Sequence, residues 1–222
     1  GNQGGYSIVY VGNNGSTILM DDLVDPDSGE VTHTSITNNT ATNSNGGYTV
    51  YVYSTSASNY GSLELNNVIV DGNVAHITAG IYVHHYANFS MTGGSVSENR
   101  VTGYYTSMAS VAGIWTYSSI NQQNDGLVTL ENVKINGNSC DSLIKSTAGV
   151  YSYSPLVLDH CEVKDNRGGY YAGVQMYSTA TLEVKNSTIS GNEGVRVGGI
   201  YSVSSTTLDH SSVSNNTASG AL

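Results

Sequence analysis

Charge is scarce in this chain. Lys and Arg together number 7 and Asp and Glu 17, so charged residues make up 11% of 222 and the formal net charge is −10. Nucleic acid and anionic membrane surfaces are therefore poor partners. Proline and cysteine occur twice each, and phenylalanine and tryptophan once each. Two cysteines cannot build a disulfide framework, so Cys140 and Cys161 read as buried free thiols, with one disulfide as the alternative. No apolar run approaches the roughly 18 residues of a membrane-spanning helix, and membrane insertion is not expected. An apolar period of 3.6 is also missing, which excludes an amphipathic helix of useful length. There is no signal peptide, so the sequence reads as a mature form, an excerpt or a repeat unit of a longer or polymeric assembly.

What the chain does hold is Gly (26) and Tyr (17), arranged in a repeat. Seven asparagines, Asn39, Asn73, Asn99, Asn138, Asn166, Asn192 and Asn216, share one frame. Three residues before each stands Ile36, Val70, Val96, Ile135, Val163, Ile189 or Val213, always β-branched. Six before stand His33, Asn67, Gly93, Asn132, His160, Asn186 and His210, types that tolerate tight or left-handed backbone and so mark a turn. Eight before lies an apolar column, Val31, Leu65, Met91, Leu130, Leu158, Val184 and Leu208. A second marker is Gly, then an apolar residue, then usually an aromatic: Gly80-Ile81-Tyr82, Gly113-Ile114-Trp115, Gly149-Val150-Tyr151, Gly173-Val174-Gln175 and Gly199-Ile200-Tyr201, with Gly5-Tyr6 and Gly47-Tyr48 as looser versions.

A repeat whose shortest spacing is 24 residues, with three short strands and Asn at a bend, predicts a coil of a parallel β-helix. Coils stack at about 4.8 Å, so seven make a rod core of roughly 34 Å. A buried Asn in such a stack can bond along the axis to its neighbours and satisfy the bend. Spacings longer than the minimum imply loops pushed out, at Gly12–Glu30, Ser54–Ser62, Thr102–Val111 and Ser118–Gly126. From about Gly4 to Ala218 the chain resembles right-handed parallel β-helix proteins of the pectin-lyase-like superfamily. Its [IV]-x-x-N and G-[IV]-Y pairing is similar to the F-x-x-N and G-G-A-I repeats of secreted adhesins such as the polymorphic outer-membrane proteins. The resemblance implies an all-β, right-handed parallel β-helix of about seven coils, one domain over 1–222, with loop-outs in the N-terminal half.

Catalysis is not expected. Pectate lyases of that superfamily need clustered calcium-binding carboxylates and a basic residue, and polygalacturonases need paired aspartates with Gly-His-Gly; neither set is present. Asp159-His160 and Asp209-His210 look like catalytic pairs, but their histidines fill the turn column. Asp25, Asp27 and Glu30 resemble the start of a calcium loop, but a third ligand at the expected step is missing, so a plain Pro-Asp-Ser-Gly turn is the favoured reading and a calcium site the alternative. Sequons at Asn14, Asn38, Asn88, Asn186 and Asn215 permit N-glycosylation without arguing for it.

The outward face carries more information. With Ile81, Ile114, Val150, Val174 and Ile200 inside, alternation places Tyr82, Trp115, Tyr151, Gln175 and Tyr201 outside, and two residues on His84, Tyr117, Tyr153, Tyr177 and Val203. This stacked aromatic face reads either as sheet stabilisation or as a contact surface for sugar rings or another protein. All seven basic residues lie after position 99, leaving the N-terminal part acidic. The segment NNTASGAL at 215–222 stops where GNQGGYSIVYV at 1–11 would continue the repeat. These features point to a non-enzymatic extracellular or cell-surface filament or adhesin subunit. It would stack head to tail with copies of itself and bind glycans or host surface protein. The alternative is a carbohydrate-binding or polysaccharide-degrading β-helix protein.

Overall fold

The computed structural model describes residues 3–4, 7–12, 17–44, 46–53, 61–84, 87–103, 109–117, 127–142, 145–177 and 179–220. One coil shows how the chain is built. From Val150 the backbone runs as four short strands, Val150–Ser152, Leu156–Asp159, Glu162–Lys164 and Arg167–Gly168, before Val174–Met176 opens the next coil. Each lies parallel to its counterpart one coil on: Val150 pairs Val174, Leu158 pairs Val184, Val163 pairs Ile189 and Arg167 pairs Glu193. The strands collect into four parallel sheets of 9, 7, 6 and 8 members in that order, which makes the molecule a parallel β-helix. Three strands per coil were expected. The fourth is the two-residue piece after each ladder asparagine, too short to show a period in sequence.

Because the register is constant, like residues meet like. Inside the coil the first sheet contributes Val50, Ile81, Ile114, Val150 and Val174; the second contributes Leu65, Met91, Leu130, Leu158 and Val184; and the third contributes Val70, Val96, Ile135, Val163 and Ile189. Burying each such side chain contributes about 1.5–3 kcal/mol, so the core rather than any intrinsic strand preference holds strands this short. Among the described residues no coil follows the last one. Leu208 and Val213, in the columns of Val184 and Ile189, are accordingly 50% and 42% exposed.

The asparagine column is a continuous hydrogen-bonded ladder. Asn138 donates from both its backbone N–H and its Nδ2 to Oδ1 of Asn166, each at 3.0 Å. Asn166 repeats this toward Asn192, at 3.0 and 2.9 Å. Its second Nδ2 hydrogen goes back to the Ile135 carbonyl at 2.8 Å. Both hydrogens and both lone pairs of the side-chain amide are thus used, and the residue is fully buried. Asn39, Asn73, Asn99 and Asn192 continue the same pattern, ending on Asn216. Serine lacks the reach, and aspartate lacks the two hydrogens.

Of the turn column, Asn67, Gly93, Asn132, His160, Asn186 and His210 adopt left-handed backbone, with φ between 47° and 68°. His33 is not among the left-handed residues. The first coil departs from the sequence alignment, and the loop-out explains it. Thr17–Met20 is a strand of the second sheet, and Met20, not Val31, pairs Leu65. Val31 belongs to the one antiparallel pair among the described residues, Leu23–Val24 with Val31–Thr32, so the departure from the coil begins after Met20 rather than at Gly12. Likewise Gly61 and Ser62 open a sheet strand, and Ser110–Val111 is a strand, which shortens the loop-outs drawn there. The segment 118–126 lies outside the described residues.

The marker glycines are a close-approach column. A Cβ on Gly113 would sit 2.2 Å from the Gly149 carbonyl oxygen, one on Gly149 2.3 Å from that of Gly173, and one on Gly173 2.2 Å from that of Gly199. Only a residue without a side chain lets the backbone of the next coil pass there. Gly149→Ala is expected to cost about 1–3 kcal/mol in a urea melt, since backbone rather than a flexible tip must give way. A variant as stable as the parent would show that the coils are spaced more widely. Gly47 lies outside this column: the register between the first-sheet strands Tyr48–Tyr53 and Thr78–His84 shifts by a bulge, and Tyr51, not Tyr48, pairs Tyr82.

Candidate functional site: an aromatic cavity outside the coil core

On the outer side of the first sheet the side chains form two columns. The inner column runs Tyr10, Tyr51, Tyr82, Trp115, Tyr151, Gln175 and Tyr201, coil by coil. The second holds Tyr53, His84 and Tyr117, with Tyr153 and Tyr177 following in the next coils. The rings contact one another along and across these columns. Tyr51–Tyr82 and Tyr82–Trp115 stack at 5.1 and 4.2 Å, and Tyr153–Tyr177 at 4.2 Å, while Tyr117–Tyr153 meet edge to face at 4.9 Å. Offset and T-shaped pairs of this kind contribute about 0.5–1.5 kcal/mol each beyond their area.

The outward direction of these residues does not make them all accessible. Tyr82 and Trp115 are 1% exposed and Tyr151 5%, because Tyr48, Ile77 and Val111 pack with them into a second apolar cluster. These three therefore cannot serve as an open contact face. Tyr53, Tyr117, Tyr153, Tyr177, Tyr201 and His84 are half-buried. Burial pushes the phenol pKa values of Tyr82, Tyr151 and Tyr51 upward, with like-charge repulsion from neighbouring tyrosines adding to it, so the rings stay neutral well into alkali.

The C-terminal part of the two columns walls a cavity of about 450 Å³. Trp115, Tyr117, Tyr151, Tyr153 and Tyr177 line it together with Tyr170, Tyr171, Gln175, Lys145 and Ala109. Of the residues singled out in sequence, Tyr82, His84 and Tyr201 lie along the same face but not among those lining residues. Its polar groups are the hydroxyls of six tyrosines, the Trp115 indole, the Lys145 ammonium and the Gln175 amide. Thr147 donates its hydroxyl to Oε1 of Gln175, which leaves the Gln175 amide nitrogen as a donor. Tyr151 donates to the Tyr153 hydroxyl at 3.0 Å. The Trp115 indole N–H is buried and has no partner among the described residues. Lys145 is held with φ at 50°, a backbone state that side-chain-bearing residues adopt at a cost.

Sequence reading missed Tyr10, Tyr51 and Tyr53, although the Y-x-Y spacing at 51–53 matches Tyr151 and Tyr153. The bulge hid that match. Tyr170, Tyr171 and Lys145 sit at a corner between sheets, where no period marks them.

The other candidate sites resolve into structure. Asp25 accepts the backbone N–H groups of Asp27 and Ser28, both at 2.8 Å, which lowers its pKa and makes the acidic stretch the tip of a hairpin. Among the described residues no group of three or more His, Cys, Asp or Glu could hold a metal ion, so the calcium expectation at Asp25, Asp27 and Glu30 gains no support. The Asp159–His160 and Asp209–His210 pairs form at 2.8 and 2.6 Å, at exposed left-handed turns. Cys140 and Cys161 are free and buried, and burial raises their thiols to about 12 and about 11, which leaves them unreactive. Sequon residues Asn38, Asn88, Asn186 and Asn215 are exposed, and Asn14 lies outside the described residues.

Residues 23–218 match the family described as the right handed beta helix region. The chain belongs to that family. No curated protein and no solved structure matches it. A right-handed β-helix is a scaffold shared by unrelated activities, so function has to be argued from the cavity and not from membership. What this β-helix offers there is a wall of rings one coil apart, lined also by Trp115 and edged with polar groups.

Proposed function

We propose that this chain is a β-helix repeat of an extracellular, cell-surface adhesin that binds carbohydrate in the aromatic cavity without altering it chemically. The cavity itself carries the reading. Ring faces at half-buried positions take the C–H face of a pyranose, and a few fixed polar groups around them set orientation. The described lining supplies no pair of carboxylates for general acid and base work on a glycosidic bond, which favours binding over turnover.

The test uses a panel of oligosaccharides immobilised on a surface. Wild-type protein is expected to be retained by a subset, and Tyr177→Ala to bind that subset about tenfold more weakly, from the loss of a stacking face worth about 1.5 kcal/mol. Incubation with polygalacturonate and calcium is expected to release no unsaturated ends. Retention unaffected by Tyr177→Ala and by Tyr153→Ala would place binding elsewhere, and steady product formation would make the protein an enzyme.

A further inference from the structure

The hydroxyls of Tyr151 and Tyr153 meet in the cavity wall. The two residues stand two apart on the outer side of the first sheet, where alternation puts both rings on one face. Tyr151 donates its hydroxyl hydrogen to the Tyr153 oxygen at 3.0 Å. The ring centroids are 5.0 Å apart and the planes are tilted by 52°. Two phenols coupled through the carbons beside their hydroxyls hold a similar arrangement, with the oxygens side by side and the rings tilted about the new bond. The fold thus places this pair close to the geometry of the coupled product.

The side chains that oxidise most readily are shielded. Cys140 and Cys161 are buried with their thiols kept protonated, and Met91 and Met176 are buried as well. Phenols are what an oxidant in solution meets on this face, at Tyr10, which is 57% exposed, and at the half-buried Tyr153 and Tyr177. Tyr151 is buried, but ring contacts lead to it. An oxidising equivalent that lands on Tyr10 can pass to Tyr51 at 5.5 Å, to Tyr82 at 5.1 Å, to Trp115 at 4.2 Å and to Tyr151 at 6.2 Å.

We propose that Tyr151 and Tyr153 form an oxidative coupling site, joined carbon to carbon by a peroxidase-type one-electron oxidant that draws on hydrogen peroxide. Each phenol gives up one electron and its hydroxyl proton, which leaves two ring radicals. Their unpaired electrons combine in a bond between the carbons next to the two oxygens. Each of those carbons then sheds its hydrogen as a proton, and each oxygen takes a proton back. Two electrons and two protons leave in all, and one hydrogen peroxide accepts them to become two waters. The product pins Tyr153 to Tyr151 in the wall of the cavity, with no second chain involved. This site goes beyond the carbohydrate reading and does not depend on it.

Cleavage after Lys and Arg puts both tyrosines in one peptide, 146–164, while Tyr170, Tyr171 and Tyr177 fall in another, 168–185. Dilute native protein is treated with a haem peroxidase and hydrogen peroxide, and the monomer is recovered and digested. The monomer is expected to gain the blue emission of dityrosine. Peptide 146–164 is expected to lose two hydrogens, with fragmentation placing the link between Tyr151 and Tyr153. Tyr151→Phe and Tyr153→Phe keep the rings and should each abolish that product. In urea-unfolded protein the coupling should spread among the 17 tyrosines of the chain. A native monomer without dityrosine would overturn the proposal, as would coupling that only joins separate peptides. So would a product in peptide 146–164 that survives Tyr151→Phe, or that forms in equal yield from the unfolded chain.

Discussion

Replacing Asn166 with leucine is expected to destabilise the protein by roughly 4 kcal/mol, a sum of about 1–3 kcal/mol for each buried group left without a partner. The stranded groups can be named. The backbone N–H and the Nδ2 of Asn138 lose their acceptor, and the Ile135 carbonyl loses its donor. Asn192 keeps the backbone N–H of Asn166, so damage on that side is smaller. Against the total of about 5–15 kcal/mol typical of a domain, a loss of this size moves the urea midpoint far. Asn166→Asp separates hydrogen bonding from shape. One oxygen can still accept from Asn138, but the other then faces the Ile135 carbonyl and Asn192 Oδ1, both acceptors. Its folded-state pKa is raised above the unfolded value of about 3.9, so its stability falls as pH rises through and beyond that value. The Asp variant should therefore melt higher at pH 4 than at pH 7. Two variants with parental stability would mean that the column is hydrated.

Alkali is expected to unfold this β-helix steeply, through phenols that burial keeps protonated. Tyr82 and Tyr151 are both almost wholly buried, and both have pKa values pushed up mainly by desolvation. In the unfolded chain they ionise near pH 10. A group whose folded pKa lies above its unfolded one binds more protons in the folded state over that interval, so folding grows weaker as pH rises past 10. Each such phenol contributes a slope of about 1.4 kcal/mol per pH unit, or roughly 3 kcal/mol for the two, while below pH 10 they contribute no pH dependence. Tyr51 and the buried thiols of Cys140 and Cys161, raised likewise, add to that slope. Tyr82→Phe isolates the share of one phenol. Its hydroxyl has no partner among the described residues, so the variant should equal or exceed the parent in stability at pH 7 and lose about 1.4 kcal/mol per pH unit of the alkaline slope. An unchanged slope would mean that Tyr82 is reached by water.

The coil stack was legible in sequence wherever the repeat is tight. From Leu127 onward the β-branched column, the turn column and the asparagines fall into register with their neighbours as the spacing predicts. The N-terminal coils were harder, because a hairpin inserted after Met20 and a bulge before Ile81 each move the frame without altering composition. Alternation did place the aromatic columns outside the coil core, since a period of two needs only local sequence. It could not say that Tyr48, Ile77 and Val111 would close over Tyr82 and Trp115, because that depends on corner residues from separate coils. For the same reason Lys145, Tyr170 and Tyr171 carry no sequence signal, and the cavity they complete was invisible before the coils were stacked.

A crystal structure of the protein soaked with an oligosaccharide that it retains tests the central claim most directly. The account predicts a sugar ring lying against Tyr153 and Tyr177 in the cavity that Tyr117, Tyr170 and Tyr171 help to line. A saccharide bound on any other face while this cavity holds only water would contradict it.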